Sequence, residues 1–336
     1  MFTDKETGHH LLPLPAVVVI GRNEGQRLQT CLTSILASCR AAVVIYVDSG
    51  STDGSVVMAL DLGCEVVNLD MTLPFTAARA RNEGFVRALQ CVPDASHIQF
   101  VDGDCELVVG WLATAMDFLQ TNPDVGAVCG RLRERFPERS VYNKICDLEW
   151  QAPPGKALSC GGNAIYATSA FMAMGGFRSG LIAGEEPELC LRLRAGGWRI
   201  WRLENEMAFH DAAILRFGQW WSRSKRTGYA FAEGAALHGK TPERHYVKQT
   251  RSAFMWGVIL PLGIIGAMTI YPPALLGFTF YPLQMIRIAM KGQVSNFSTW
   301  QRAFFLMLGK FPEALGASKY FYNRWRGQAG EIIEYK

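Results

Sequence analysis

Two aspartates separated by one glycine stand at the end of a short apolar run in this sequence. Asp102-Gly103-Asp104 directly follows residues 98–101, whose composition is typical of a buried strand. Two carboxylates at this spacing can share one hard divalent cation, and Mg²⁺ and Mn²⁺ prefer such oxygen ligands. Because proteins usually hold these ions together with substrate phosphates, the motif predicts a metal-bound phosphate compound such as a nucleotide. The alternative is an ordinary turn, since Asp-Gly-Asp is also common turn chemistry.

Apolar runs and helix-like segments alternate in the first third of the chain, and they must position this motif. The apolar runs predict buried strands at residues 15–20, 43–47, 65–67 and 98–101. Helical patterning lies between them, at residues 25–38, 55–62 and 77–90. This alternation predicts an α/β fold in which a parallel sheet carries helices on both faces.

Polar clusters follow three of the predicted strands. They are Arg22-Asn23-Glu24, residues 48–53 and residues 102–104. In open parallel sheets, ligands bind beyond the carboxyl ends of the strands. We therefore expect these clusters to converge on one binding site.

The pattern beyond the fourth strand is less regular. Residues 131–160 contain several prolines and predict a long, partly irregular insertion, and helices are expected at about 168–175 and 185–195. His210 follows an aromatic, strand-like stretch. A lone histidine is usually structural, but with a metal site elsewhere in the chain His210 is a candidate third ligand.

Asp48 and Arg81 are candidate contacts for a nucleoside. Asp48 follows the second predicted strand, where a carboxylate can accept hydrogen bonds from a base or a ribose, and Asp53 can instead cap the next helix. Arg81 lies on a predicted helix and can stack on a base or pair with phosphate, unless it belongs to a solvated helix face. Neither a GxGxxG loop nor a P-loop is present, which argues against NAD and against ATP hydrolysis.

Glu185, Glu186 and Glu188 lie at the start of the helix predicted at 185–195. Acids in a first helical turn interact favourably with the helix dipole, so a structural role is one explanation. Transfer of a group to a hydroxyl also needs a general base near the reacting carbon. A paired acid at a helix start is a reasonable place for that base.

The order of these motifs resembles that of family 2 glycosyltransferases with the GT-A fold, over about residues 14–235. Residues 19–24 resemble the family's opening strand and "NE" turn, and residues 47–53 its "DDGSTD" segment. Residues 80–84 resemble the "ARNxG" helix, and residues 102–104 the DxD metal motif. The "GxN…GGF" and "EDxEL" motifs are matched by residues 161–163 with 175–177 and by residues 185–189.

This resemblance implies inverting transfer of one sugar from a nucleotide-sugar to an acceptor hydroxyl, with Mn²⁺ or Mg²⁺ as the cofactor. Glu186 stands where the family has its catalytic Asp, and because Glu is longer, Glu185 remains a rival for the base. The implied metal ligands are Asp102 and Asp104, with His210 added as the third. The implied nucleotide-sugar contacts are Glu24, Asp48, Arg81, Asp102, Gly103, Asp104, Gly162 and Asn163.

The C-terminal part is strongly apolar, since no charged residue lies between Arg251 and Arg287. Pro272-Pro273 divides this run, which predicts a membrane hairpin or re-entrant pair at about 253–271 and 274–290. Residues 303–322 predict an interfacial helix. The expected domains are therefore a catalytic domain at 1–245 and a hydrophobic helical region at 246–336. A buried pair of soluble helices is the alternative.

Basic residues on both sides of the apolar run predict that both of its ends are cytoplasmic. We therefore expect a catalytic domain on the cytoplasmic side of a bacterial inner membrane and a lipid-linked saccharide acceptor in surface polysaccharide biosynthesis. A net charge of +4 is too small to indicate nucleic acid, and nine cysteines without metal-finger spacing predict reduced, mostly buried thiols. The alternatives are a sugar nucleotidyltransferase, whose glycine-rich loop is missing, and a non-catalytic membrane scaffold.

Overall fold

The β-strands of the described chain join in one mixed sheet. The computed structural model describes residues 15–38, 43–292, 296–328 and 330–334. The strands are β1 (Ala16–Gly21), β2 (Val43–Asp48), β3 (Glu65–Asn68), β4 (His97–Asp102), β5 (Cys105–Leu107), β6 (Val125–Glu134), β7 (Gly155–Lys156), β8 (Ala164–Ala167) and β9 (Arg199–His210). Their order is β3-β2-β1-β4-β8-β6-β9-β5, and β7 pairs with β9.

The predicted alternation is confirmed for the first four strands, which are parallel to one another. Strands β1, β2 and β4 are almost entirely buried, which explains why they are continuous apolar runs rather than alternating ones. The rest of the sheet is mixed, because β8 runs antiparallel to both β4 and β6. Helices flank this sheet, as the α/β prediction requires.

Seven helices precede β9 in the part of the chain that the structure describes. They are α1 (Gln26–Ser38), α2 (Ser55–Asp61), α3 (Ala77–Cys91), α4 (Trp111–Thr121), α5 (Val141–Trp150), α6 (Thr168–Ala173) and α7 (Glu185–Ala195). The segment 131–160, predicted to be partly irregular, contains the end of β6, helix α5 and β7, with irregular chain between them. Pro137 and Pro153-Pro154 flank α5 instead of interrupting it, so they end elements rather than prevent them.

The chain divides into two compact units. The first contains the residues up to Arg135, Trp150–Ser179 and Glu185–Asp211, and the second contains Phe136–Glu149, Gly180–Gly184 and the chain from Ala212 onward. The second unit also contains 212–245, which the sequence pattern places in the catalytic domain.

Helices make up most of the second unit. After α5 they are α8 (Phe217–His238), α9 (Val247–Phe254), a π-helical turn (Met255–Ile259), α10 (Leu260–Met268), a 3₁₀ helix (Pro272–Thr279), α11 (Phe280–Ala289), α12 (Phe297–Leu308) and α13 (Lys310–Trp325). Helix α13 lies very close to α8: a Cβ at Gly228 would be 2.0 Å from the carbonyl oxygen of Glu313, and a Cβ at Gly316 would be 1.9 Å from that of Lys225. Two glycines thus permit this helix contact.

One continuous helix, Val247–Met268, is long and apolar enough to cross a membrane, and only 11% of its apolar window is buried. By itself one such helix is weak evidence for a membrane span. The second predicted limb, 274–290, is not one α-helix, because the 3₁₀ helix after Pro272-Pro273 precedes α11. The single helix predicted at 303–322 is also wrong, because α12 ends before Gly309 and α13 begins after it.

Helix α3 approaches the sheet closely at Gly84. A Cβ there would lie 2.3 Å from Cγ1 of Val18 and 2.9 Å from Cγ2 of Val47. We expect Gly84→Ala to destabilise the protein by about 1–3 kcal/mol through overpacking. This cost exceeds the roughly 1 kcal/mol that Ala gains over Gly in helix propensity. The midpoint of thermal unfolding, followed by circular dichroism, measures the difference.

Gly218 provides the matched control, since it is also helical and a Cβ there would have no atom within 4 Å. Gly218→Ala is expected to keep or raise the midpoint, because only the helix-propensity gain remains. Equal midpoints for wild type and Gly84→Ala would contradict the prediction and would show that the Val18 side chain shifts at little cost.

Candidate active site

The carboxyl ends of β1, β2 and β4 meet at one edge of the sheet. In the strand register, Gly21 pairs with Asp48 and Ile20 pairs with Asp102. The N–H of Gly103 also donates to the carbonyl oxygen of Ile20, at 2.8 Å. The convergence of the polar clusters that the sequence predicted is therefore present in the structure.

Asp48 is buried and holds the turn that follows β2. Its Oδ1 accepts a hydrogen bond from the Tyr46 hydroxyl at 2.7 Å. Its Oδ2 accepts the N–H groups of Gly50 at 2.9 Å and Ser51 at 2.8 Å. Since both oxygens are engaged inside this turn, the contacts of Asp48 shape the loop that a nucleoside would meet.

The loops after β1 and β2 are tied together by side chains. The N–H of Asn23 donates to Ser51 Oγ at 2.9 Å, and Asn23 Oδ1 accepts the N–H of Thr52 at 2.7 Å. Asp53 Oδ2 accepts the N–H of Gly25 at 2.9 Å, and Oδ1 of the same carboxylate accepts the N–H of Ser55 at the start of α2.

Glu24 has an ion pair with Arg27, with Oε2 2.7 Å from Nη2. It lies in the loop after β1, the position from which the resemblance implies a nucleoside contact.

Arg81 is buried and connects two of the predicted site residues. Its Nη2 lies 2.6 Å from Asp102 Oδ1, and its Nη1 lies 2.7 Å from Glu185 Oε1. Burial alone would lower the pKa of Arg81, but the two carboxylates raise it, so the guanidinium stays charged. The structure thus places Arg81 between the DxD motif and the acidic pair.

Asp104 and His210 face each other at the end of the DxD turn. Asp104 Oδ2 lies 3.0 Å from His210 Nε2, and the histidine ring packs against Trp150 with centroids 4.7 Å apart. Together with Cys105 they form one of the groups in the described chain whose ligand atoms lie within 4.8 Å of one another. Burial and the charge of Asp104 raise the pKa of the Cys105 thiol, which leaves a carboxylate and an imidazole as donors. This donor pair fits Mn²⁺.

Asp102 belongs to neither metal-capable group found among the described residues. Its carboxylate is paired with Arg81 instead, and its N–H donates to Asn163 Oδ1 at 2.9 Å. Nδ2 of Asn163 donates to Cys105 Sγ at 3.3 Å, so this amide holds the DxD turn from both sides. The metal role that the sequence predicted for Asp102 therefore has less geometric support than those of Asp104 and His210.

Two glycines let the chain approach this turn closely. A Cβ at Gly162 would lie 2.7 Å from both Arg81 Nη2 and Asp102 Oδ2. A Cβ at Gly103 would lie 3.0 Å from the carbonyl oxygen of Ile20. A larger residue at Gly162 would therefore displace the charged groups of the ion pair, and one at Gly103 would press on the backbone of β1.

Helix α7 begins with the two acidic residues, and both are buried. Glu185 is paired with Arg81, as described above. Glu186 Oε1 accepts the N–H of Cys160 at 2.5 Å and the thiol of Cys190 at 2.9 Å. Burial raises the pKa of Glu186 above the usual glutamate value. A carboxylate of raised pKa can accept a proton more readily, which suits a general base.

Three residues of this site were missed from the sequence. Cys190 lies four residues after Glu186 on a predicted helix, and this spacing could have indicated that the two side chains meet. Cys160 and Trp150 come from distant segments, and no local pattern in the sequence connects them with Glu186 or His210.

Comparison with known proteins relates the first part of this chain to a family. Residues 16–178, which hold β1 to β8, match the model of glycosyl transferase family 2. Mannosyltransferase PcManGT from Pyrobaculum calidifontis, solved with GDP-Man and Mn²⁺, is 19% identical and superposes with a TM-score of 0.63 over 93% of this chain and 88% of its own. S. aureus TarS 1-349 in complex with UDP-GlcNAc is 13% identical, with a TM-score of 0.53 over 94% of this chain and 92% of its own.

No curated protein sequence matches the chain significantly. At these low identities the two solved structures establish the fold, and the match to the family model adds the sequence relationship. Residues 16–178 therefore form a glycosyl transferase family 2 domain with the GT-A fold, and the protein is a glycosyltransferase.

Proposed function

We propose that this enzyme transfers one sugar, with inversion, from a nucleotide-sugar to a hydroxyl of a lipid-linked saccharide. The observation that carries the proposal is the pairing of Arg81 with both Asp102 and Glu185, at 2.6 and 2.7 Å. This pairing brings the turn that would face a donor diphosphate next to the acids that would face an acceptor. Both reactants of a group transfer would then meet at one sheet edge.

The donor would bind over the loops after β1, β2 and β4. PcManGT was solved with GDP-Man and TarS with UDP-GlcNAc, which supports a nucleotide-sugar as the donor class. Asp104 and His210 would hold Mn²⁺ or Mg²⁺, which when bound offsets negative charge on the departing diphosphate. Asp102, Asn163 and the glycines around them would position the donor.

Glu186 is the base in this proposal. It would take the proton of the acceptor hydroxyl as that oxygen attacks the anomeric carbon from the face opposite the diphosphate. Glu185 is less suited to this role, because its Oε1 is held by Arg81 Nη1 at 2.7 Å. Glu186 has no such cationic partner among the described residues, and burial raises its pKa.

A basic cavity in the second unit supports a phosphate-bearing acceptor. It measures about 200 Å³, and its lining includes Gly184, Arg223, Arg226, Thr227, Phe231 and Tyr246. Guanidinium groups pair well with phosphate, and Arg223 also pairs with Glu149 at 2.9 Å. Tyr246 directly precedes the helix Val247–Met268, and Gly184 directly precedes Glu185 in the chain. The cavity and the apolar helix belong to the same unit, so a lipid diphosphate that reached the end of this helix could bind in the cavity.

The proposed location is the bacterial inner membrane, with the catalytic unit on the cytoplasmic side. Lys248 and Arg251 precede the apolar run, and Arg287 and Lys291 follow it. Cytoplasmic flanks carry an excess of such residues, which supports a re-entrant pair with both ends on that side. The acceptor would then belong to surface polysaccharide biosynthesis.

The test uses the full chain purified in detergent. We expect one class among UDP-, GDP- and dTDP-sugars to bind in a Mn²⁺-dependent way, and its sugar to be transferred to a polyprenyl-diphosphate-linked saccharide. Transfer to the same saccharide without the lipid diphosphate should be much slower. Equal transfer to both acceptors would contradict a lipid-linked acceptor, and absence of transfer with every donor would contradict the proposed reaction.

Arg226→Ala tests the cavity. Loss of one charged hydrogen bond to phosphate is expected to raise KM for the lipid-linked acceptor about tenfold or more, while the Kd for the donor is unchanged. Lys240→Ala removes an exposed cation of the same unit and serves as the control. If both variants keep the wild-type acceptor KM, the phosphate does not bind in this cavity.

A further inference from the structure

Buried cysteines lie beside the carboxylate of Glu186. Cys190 donates its thiol to Glu186 Oε1 at 2.9 Å, and Cys160 Sγ lies within 4.8 Å of the Cys190 thiol and of a Glu186 carboxylate oxygen. A third buried cysteine, Cys129, accepts a hydrogen bond from Arg202 Nε at 3.5 Å.

A buried carboxylate needs donors, because burial without hydrogen bonds is costly for a charged group. The N–H of Cys160 supplies one donor to Oε1, at 2.5 Å, and the Cys190 thiol supplies a second to the same oxygen. Burial raises the pKa of Cys190 to about 11, so the thiol keeps its proton and can donate at any pH near neutrality. The thiol is thus a permanent, uncharged donor to Glu186.

Other groups also face this carboxylate, and they bear on its titration. The negative charge of Glu185 opposes ionisation of Glu186. The hydroxyl of Tyr166 lies nearby but donates no hydrogen bond to it. Arg202 contacts Cys129. By element, the groups are Glu185 and Cys190 on α7, Cys160 and the N–H of Gly161 before β8, Tyr166 on β8, Cys129 on β6 and Arg202 on β9.

We propose that Cys190 is a positioning residue for the base: its thiol fixes Oε1 of Glu186 so that Oε2 receives the proton of the acceptor hydroxyl. This inference rests on the proposed function, in which Glu186 is the base. Cys160 Sγ lies within 4.8 Å of the Cys190 thiol and packs beside it. The cysteines that the sequence indicated only as buried, reduced thiols then acquire a role in the reaction.

The experiment compares pH profiles of kcat for wild type, Cys190→Ala and Cys190→Ser. Loss of a hydrogen bond to the charged carboxylate should move the acidic limb of Cys190→Ala upward by about one pH unit. Cys190→Ser should restore the limb to the wild-type position or below it, because a hydroxyl donates more strongly than a thiol. KM for the nucleotide-sugar should not change in either variant. Cys91→Ala, at an exposed cysteine, is the control.

Wild-type acidic limbs in both Cys190 variants would overturn the inference. If Cys190→Ala does not fold, infrared spectroscopy of the wild type decides the question. The S–H band that disappears in Cys190→Ser should have the frequency of a hydrogen-bonded thiol and should shift in Glu186→Gln, and a band that does not shift overturns the inference. Retained kcat in Glu186→Gln would instead show that the proposed base is wrong.

Discussion

Glu186→Gln is expected to lower kcat by about 10²- to 10⁴-fold, the usual contribution of a general base. The amide has nearly the size of the carboxylate, and its oxygen can still accept hydrogen bonds from Cys160 and Cys190. The amide cannot take the proton of the acceptor hydroxyl, so general-base catalysis is lost. Because its size and its hydrogen bonds are retained, binding of the nucleotide-sugar should be unchanged. Steady-state kinetics and calorimetric titration with the donor measure the two effects separately.

The pH dependence of the wild type provides a second readout of the same prediction. A base works only when deprotonated, and burial raises the pKa of Glu186 above the usual glutamate value. Activity is therefore present above this raised pKa and is lost as pH falls through it. The midpoint should lie above that of an ordinary glutamate, and this limb should be absent in Glu186→Gln. Glu83→Gln, at an exposed position of α3, is the control and should keep both kcat and the limb.

Glu185→Gln separates the two acids. Its ion pair with Arg81 would be lost, so we expect weaker donor binding and lower thermal stability, with the acidic limb still present. The roles would be reversed if Glu185→Gln lost the acidic limb while Glu186→Gln retained it.

Asp104→Ala is expected to weaken Mn²⁺ binding more than about 100-fold, since even residues behind metal ligands contribute about 10- to 100-fold. The variant also leaves His210 without its carboxylate partner, which lies 3.0 Å away in the wild type. Donor binding that depends on Mn²⁺ should be lost with it. The Mn²⁺ affinity, measured by electron paramagnetic resonance without donor, gives a readout independent of activity.

Asp102→Asn should change the Mn²⁺ affinity less than Asp104→Ala, because the Asp102 carboxylate is paired with Arg81. Asp94→Asn, at an exposed aspartate of the first unit, is the control. An unchanged Mn²⁺ affinity in Asp104→Ala would mean that the Asp104–His210 pair is only structural. A larger effect of Asp102→Asn would restore the ligand role that the sequence motif predicted for Asp102.

The parallel half of the sheet and its binding edge could be predicted from the sequence for a clear physical reason. Strands buried on both faces are continuous apolar runs, as in β1 and β2, and their ends are marked by polar turns. The start of α7 was also predictable, because acids and Pro187 are typical of a first helical turn. Nothing local, in contrast, indicates that β8 runs antiparallel between β4 and β6, since pairing partners are set by long-range packing.

The same limit applies inside the site. The sequence predicts which side chains lie at the sheet edge, but it does not predict their partners. The sequence predicts ligand contacts at Asp48 and Arg81, and both stay predictions. It does not predict that Asp48 holds its own turn or that Arg81 is paired with two acids. The match of residues 16–178 to glycosyl transferase family 2 favours the glycosyltransferase over the nucleotidyltransferase and scaffold alternatives.

The shared guanidinium of Arg81 has a thermodynamic consequence. Asp102 and Glu185 divide a single positive charge, so any cation that draws Asp102 away leaves more of that charge to Glu185. The ion pair between Arg81 and Glu185 would then be stronger. Glu185 is the first residue of α7 and directly precedes Glu186, the proposed base. Such linkage is reciprocal: whatever strengthens the pair on the acceptor side also loosens Asp102 for the donor side. Binding at Asp102 and the strength of the Arg81–Glu185 ion pair are therefore linked through one guanidinium.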